Sequence, residues 1–290
     1  MKDGKADDVM VSTLEQARAR YVMEWGSGNA ARFLEDGGYA WMAGFLDGCA
    51  TVLEVGVGNG SSTLALLEAG LTVVGVDENP ACLEAAGQLL AANGISVSTE
   101  LRGCVDSGAN QYSINYRVPA SPFPDHGCLL LEGDIMEDGS LLDWVESSGR
   151  VDALVCWLMG TYQERALNSA VAAKGIRNPA SYRSTVQEKI CSVAAQLLPD
   201  GGIVHIVDRC LLTPGDLGTI PGSQAWLAQC EQAYSERAEG TGLRVESVDF
   251  RAYREPEHDN GPSIKLTRSL AGEDPDAFDK AFVSIKLIRS

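Results

Sequence analysis

Residues 51–79 read TVLEVGVGNGSSTLALLEAGLTVVGVDEN. The stretch opens on a short apolar run, Val52-Leu53-Glu54-Val55, which is how a strand buried in a parallel sheet reads. Gly56, Gly58 and Gly60 follow at every second position. Ser61 and Ser62 are placed to cap a helix over residues 63–69, and Gly70 to stop it. A second apolar run, residues 71–76, ends at Asp77. The order is strand, glycine turn, helix, strand and acid, one βαβ half of a nucleotide-binding sheet. A loop without side chains lets its main chain come close to a ligand, and a helix start offers free N–H groups. An acid at the tip of the second strand can accept both hydroxyls of a ribose.

The glycine spacing narrows the ligand. The dinucleotide fingerprint G-x-G-x-x-G needs a third glycine at position 61, which is serine, so a nicotinamide oxidoreductase is disfavoured. What stands there is E-x-G-x-G-x-G, from Glu54 to Gly60. This resembles the first motif of class I S-adenosylmethionine (SAM)-dependent methyltransferases. The resemblance runs on through about residues 49–290. Asp77 and Glu78 match the acidic end of that family's second strand, and Gly133-Asp134-Ile135 looks like its third-strand motif. Leu197-Leu198-Pro199-Asp200-Gly201-Gly202 matches the L-x-P-G-G turn before its fifth strand, with aspartate where glycine is commoner. Singly, each has an ordinary reading: a tight turn, a helix cap at Asn79-Pro80, a solvated loop acid at Asp134. Four landmarks in the right order make the resemblance specific.

The resemblance implies a seven-stranded, doubly wound α/β sheet, mostly parallel, whose last strand is antiparallel. It also implies SAM as methyl donor and S-adenosylhomocysteine as product. Glu54, Gly56, Gly58, Gly60, Asp77, Glu78, Asp134, Ile135 and Trp157 would then hold the cofactor. Asp77 and Glu78 would bind the ribose, and Asp134 the adenine amino group. Two other readings stay open on the same scaffold: another SAM-fold enzyme (an aminopropyl transferase, cyclase or lyase), and a non-catalytic binder that kept the pocket.

Composition bounds the rest. The chain has 290 residues, enough for one large domain or a domain plus a cap. A net charge of −17 with no Lys/Arg run argues against nucleic acid as partner. Eight cysteines without C-x-x-C spacing suggest no zinc site. There is no signal-peptide pattern and no apolar stretch of membrane-spanning length, so a reduced, cytoplasmic protein without a membrane partner is expected.

Along the chain, residues 1–48 read as an N-terminal helical cap. Residues 1–10 are expected to be a loose tail, with a capping box at Ser12-Thr13-Leu14-Glu15 starting a helix. Gly26-Ser27-Gly28 is expected to break it. By the resemblance, Tyr21, Trp25, Tyr39 and Trp41 are candidate lid residues; taken singly, each reads as core packing. Residues 95–127 interrupt the methyltransferase domain of residues 49–290. Within the insert, residues 95–101 and 112–118 alternate apolar with polar and predict a β-hairpin across a turn at 106–110. The insert is expected to serve as a homodimer contact or a pocket wall.

The fourth strand, residues 151–157, ends at Trp157-Leu158-Met159-Gly160, followed by Tyr162. In open α/β sheets ligands sit outside the strand C-terminal ends, so this tip is the expected acceptor edge. It lacks the Asn/Asp-Pro-Pro-aromatic turn of amino-methylating nucleic-acid enzymes and the metal-binding acid of catechol-type enzymes. A metal-independent transfer to a small organic molecule is therefore expected, with Trp157, Met159, Tyr162 and Arg209 against the acceptor and aromatic faces suited to a sulfonium. Arg165 and Arg209 flank this edge and are candidate carboxylate anchors. His205, Asp208, Tyr162 and Glu164 are candidate bases, none singled out. His205 reads as a core histidine, and His126 and His258 as surface residues.

Overall fold

The computed structural model describes residues 4–212, 220–253 and 279–290. Its centre is β1 (Thr51–Val55), buried along its whole length. Strand β1 pairs in parallel with β2 (Thr72–Asp77) on one side and with β7 (Ala153–Trp157) on the other. Beyond β2 lie β6 (Cys128–Glu132) and then β3 (Val97–Glu100), both parallel. Beyond β7 lie β8 (Ile203–Leu212), β10 (Asp279–Arg289) and β9 (Leu243–Ala252). Strand β10 is antiparallel to both of its neighbours, the inserted antiparallel strand that the resemblance implied.

Apolar residues alternate across this sheet, so each strand feeds two cores. Leu53, Val55, Val74 and Leu131 pack on α6 (Gly139–Ser148), α8 (Pro179–Leu197) and α9 (Ile220–Ala238). Val52, Val73, Leu130 and Val155 pack on the opposite layer, α4 (Ser61–Glu68) and α5 (Pro80–Ala92). That second core also takes Phe33 of α2 (Ala31–Glu35) and Tyr39 and Met42 of α3 (Gly38–Ala43). The architecture is doubly wound α/β. From β1 the chain winds outward through β2 to β3 and β6, then crosses back from β6 to β7 on the other side of β1, so the topological switch point lies between β1 and β7.

The sheet has eight strands, not the seven expected. Residues 97–100, read as half of the hairpin, instead extend the main sheet beside β6. The turn at Asn93 and Gly94 (φ 75°) after α5 sends the chain back along the sheet edge, where a parallel ladder partner is within reach. The hairpin itself is β4 (Gly103–Ser107) against β5 (Tyr112–Tyr116), with its turn closed by Gly108 N donating to Gln111 O at 2.8 Å. Period-two alternation identifies a half-exposed strand but not its partner.

Two N-terminal expectations also change. Helix α1 runs Gly4–Trp25, so most of the expected tail is helical and the Ser12–Glu15 box lies inside it. Thr13 Oγ1 instead donates back to Val9 O at 2.8 Å. Residues Gly26–Ala30 continue as a π-helical turn rather than a break. The polar stretch 254–278, with His258, lies outside the described residues.

Candidate active site

The three glycines after β1 all take left-handed backbone: φ is 88° at Gly56, 56° at Gly58 and 86° at Gly60. A side chain is strained at each. At Gly60 space forbids one as well, because an added Cβ would lie 2.7 Å from Ala86 Cα of α5. The expected serine cap is absent: Gly60 is the N-cap of α4 and supplies no side chain. Ser62 and Thr63 instead donate to Glu54, Thr63 Oγ1 at 2.6 Å. Glu54 is thus a buried acid under the start of α4, with Gly75 across the ladder leaving room for it. Burial pushes its carboxyl up to about 7, and the two hydroxyls only partly oppose that.

Asp77 closes the loop from the other side. Its carboxylate accepts Gly58 N at 3.0 Å and Asn79 N at 2.9 Å. Burial, with Glu78 adjoining, raises it to about 7 against the pull of those two amides. Asn79 caps α5 through Ala81 N at 3.0 Å, ahead of Pro80. Each Asp77 oxygen keeps an unused lone pair.

Glu78 and Asp134 are held differently. Glu78 Oε2 accepts Arg18 Nη2 at 2.9 Å and the Tyr162 hydroxyl at 3.2 Å, and Arg165 Nε lies 3.8 Å from Oε1. These partners keep the Glu78 carboxyl below its ordinary range although burial pushes the other way. Asp134 Oδ1 accepts Met136 N at 2.9 Å, and its Oδ2 is ion-paired with Arg165 Nη2. Arg165 is therefore committed to two acids, not open as a carboxylate anchor. Sequence reading did not find Arg18. The signal was there: it sits on the stripe of α1 that buries Leu14, Ala17 and Trp25, and a charge on an apolar stripe needs a partner.

A cavity lies between these elements at the switch point. Its floor is Gly56 to Asn59, its acidic walls are Asp77, Glu78 and Asp134, and Ile135 lines it beside Asp134. Trp157, Met159 and Tyr162 line the β7 side, while Tyr21, Trp25 and Tyr39 roof it. Of the lid candidates, Trp41 does not line it; it packs on Phe45 and Phe282. The fit is close: a Cβ at Gly160 would clash with the Tyr21 hydroxyl, and a Cβ at Gly56 would lie 2.7 Å from Met159 Cε. Leu158, also lining the cavity, has φ 55°, the one left-handed non-glycine among the described residues. Such backbone concentrates at functional sites.

The candidate bases fare differently. His205 is fully buried, with Trp157 Nε1 donating to its Nδ1 at 2.9 Å and Ser284 Oγ 2.8 Å from Nε2. Burial lowers its pKa to about 3, so it is a neutral core histidine. Burial, with Glu78 close by, pushes the Tyr162 phenol far up, so it stays protonated. Glu164 pairs with Arg20 at 2.9 Å, and Asp208 accepts Gln187 Nε2 at 2.8 Å; neither lines the cavity. Arg209 lies over the Trp25 ring at 5.4 Å but, unlike Trp157, Met159 and Tyr162, does not line the cavity. Among the described residues no three His, Cys, Asp or Glu side chains are grouped to hold a metal ion.

No protein-family model matches the chain. No curated protein matches its sequence. Solved structures align with it at low identity and with TM-scores below 0.5. A candidate methyltransferase of Bacillus halodurans is 15% identical, over 87% of this chain and 98% of that one, with a TM-score of 0.45. Magnesium protoporphyrin IX methyltransferase of Synechocystis, with bound SAM, is 12% identical over 90% and 80%, with a TM-score of 0.42. Geranyl diphosphate methyltransferase in complex with SAM is 12% identical over 88% and 86%, with a TM-score of 0.44. The fold assignment rests on strand order and pairing, not on these likenesses.

Proposed function

We propose that the protein is a SAM-dependent methyltransferase acting on a small organic acceptor, without a catalytic metal and with S-adenosylhomocysteine as product. The observation that carries this reading is the left-handed main chain at Gly56, Gly58 and Gly60, with Gly58 N donating to Asp77. The residues present fit the group. A Cβ at Gly56 would meet only the movable end of Met159, and both Asp77 oxygens keep acceptor capacity for a ribose diol. Asp134 keeps lone pairs for an adenine amino group, beside Ile135. Glu54 holds the start of α4 under the loop rather than touching the ligand.

Bound there, the cofactor supplies an electrophilic methyl group, and the sulfur keeps the electron pair of the broken bond. The chain's own contribution is alignment and exclusion of water. Trp157, fixed through its indole N–H, and Met159 form an apolar wall where the acceptor approaches. Tyr21, Trp25 and Tyr39 cover the cavity, and Arg209 stands behind Trp25, from where it would reach a polar acceptor group only if that ring moved. Tyr162 positions Glu78 by its hydrogen bond. No residue is assigned as a base. Residues 1–48 act as the cap and residues 49–290 as the catalytic domain. The insert backs the pocket wall, since Tyr112 of β5 packs in one cluster with Tyr162, Leu14 and Ala17.

Among the described residues no helix is long and apolar enough to cross a membrane. All eight cysteines are free, which favours a reduced, cytoplasmic setting. The charge of −17 disfavours nucleic acid as partner. A homodimer through the outer face of the insert completes the proposal. Incubation with methyl-labelled SAM and a metabolite pool tests the activity. A small molecule gaining one methyl, with S-adenosylhomocysteine released, is expected. Transfer of a larger group, or intact SAM alongside tight S-adenosylhomocysteine binding, would replace it by one of the alternative readings.

A further inference from the structure

The acid expected to meet the purine is not a lone side chain. Asp134, at the tip of β6, is 5% exposed and ion-paired with Arg165, itself 1% exposed. Arg165 belongs to the 3-10 turn Gln163–Leu167, beyond the tip of β7, so it reaches β6 from a different part of the chain. The same guanidinium approaches Glu78 at the tip of β2 (3.8 Å) and lies 5.8 Å over the ring of Tyr182, which lines the cavity. Arg165 does not itself line that cavity. It therefore cannot act on a ligand directly, but it holds two of the three acids that do line it.

The chemistry of the acid depends on that hold. An ionised carboxylate only accepts hydrogen bonds, which suits an exocyclic amino group and repels a carbonyl oxygen at the same place. Arg165 engages one oxygen of Asp134 and Met136 N the other, and a carboxylate that loses the arginine is no longer held in the orientation that faces the amino group. Discrimination between 6-amino and 6-oxo purines would then be lost.

We infer that Arg165 is a positioning residue that sets purine specificity, by keeping Asp134 an acceptor aimed at a 6-amino group. This rests on the cofactor reading above. The probes are S-adenosylhomocysteine and its hypoxanthine analogue, S-inosylhomocysteine, each measured by calorimetry on the full chain. The wild type is expected to prefer the adenine ligand by about 30-fold, the size of one hydrogen bond to a charged group. Arg165→Met is expected to bring that preference below about threefold, mainly by weakening the adenosyl ligand relative to the inosyl one. Arg165→Lys, which keeps a cation beside Asp134, is expected to restore most of it. If Arg165→Met does not fold, Arg165→Gln takes its place with the same expectation.

A purely structural arginine would lower the melting temperature and leave the ratio of affinities untouched, and that result overturns the inference. A wild type that binds neither ligand would defeat the cofactor reading instead, so the two failures are distinguishable.

Discussion

Two acids line one cavity from the ends of adjacent strands, and the chain treats them differently. Asp77 faces main chain, with two backbone amides as partners and a carboxyl raised to about 7 by burial and by Glu78. Asp134 faces a side chain, the guanidinium of Arg165, in a cluster that also holds Glu78, Arg18 and Tyr162. Main-chain partners come with the loop geometry and cannot be mutated away. Side-chain partners can be lost one at a time. The partners of Asp77 should thus be lost only when the backbone is disturbed, and the Asp77 side should respond to pH. The Asp134 side should fail by substitution.

The largest effect is expected at Gly58. Its φ of 56° is strained for valine, and an added Cβ would face Trp25 Nε1 at 3.5 Å. Gly58→Val should weaken S-adenosylhomocysteine binding by more than about 100-fold, near 3 kcal/mol, with the fold retained by circular dichroism. Near-normal affinity would break the idea that bare main chain makes this half of the site.

Next comes Glu54. Its carboxyl is raised from 4.5 to about 7 in the fold, so the protonated form is the favoured one there. The stabilisation this gives is fully present below about pH 4.5 and is lost as pH rises through 7. Glu54→Gln removes that loss. The melting temperature of the variant should therefore gain on the wild type from pH 4 to pH 8, by the equivalent of roughly 3 kcal/mol. A difference that is constant with pH would contradict it.

Asp77 gives a smaller and sharper signal. A ribose diol needs the ionised carboxylate, and at about 7 the group is mostly protonated at pH 6. Affinity for S-adenosylhomocysteine should rise about tenfold from pH 6 to pH 8 and then level off. Asp77→Asn should bind weakly at every pH, with no rise. A rise that survives in this variant would assign the titration elsewhere.

The smallest effect is expected at Met159. Its thioether covers Gly56, but it is the flexible end of an unbranched side chain and can swing aside. Met159→Ala should change the affinity by less than about threefold, a fraction of a kcal/mol. A large gain would mean that the side chain competes with the ligand for the floor.

This contrast also explains what could be read from the sequence. The Asp77 half is local: strand, glycines, helix and acid lie within residues 51–79, and spacing alone locates them. The antiparallel last strand was implied by the resemblance, and β10 supplies it. The Asp134 half is assembled from α1, β2, β6 and the turn after β7, and no sequence spacing relates Arg18 to Glu78 or Arg165 to Asp134. Strand β3 was misassigned for a similar reason. Alternation in residues 95–101 shows which side chains are half-buried, but pairing is decided by where α5 releases the chain. The part of the roof made by Tyr21 and Trp25 depends on how α1 docks, which a helical stripe indicates without giving its target.

The hairpin of the insert has a use beyond the pocket. Its root is fastened by Arg102, fully buried, which bonds Asp138 at 2.8 Å, Glu132 O at 3.0 Å and Arg117 O at 2.8 Å. Its tip, residues 108–111, is exposed, and its only cross-turn backbone bond joins Gly108 and Gln111. An epitope or a fluorophore spliced in at the tip would ride on a firmly anchored stalk that reaches back to Tyr112, in the packing cluster of α1. Such a label would report movement of α1 from outside the cavity, with the cavity lining left unaltered.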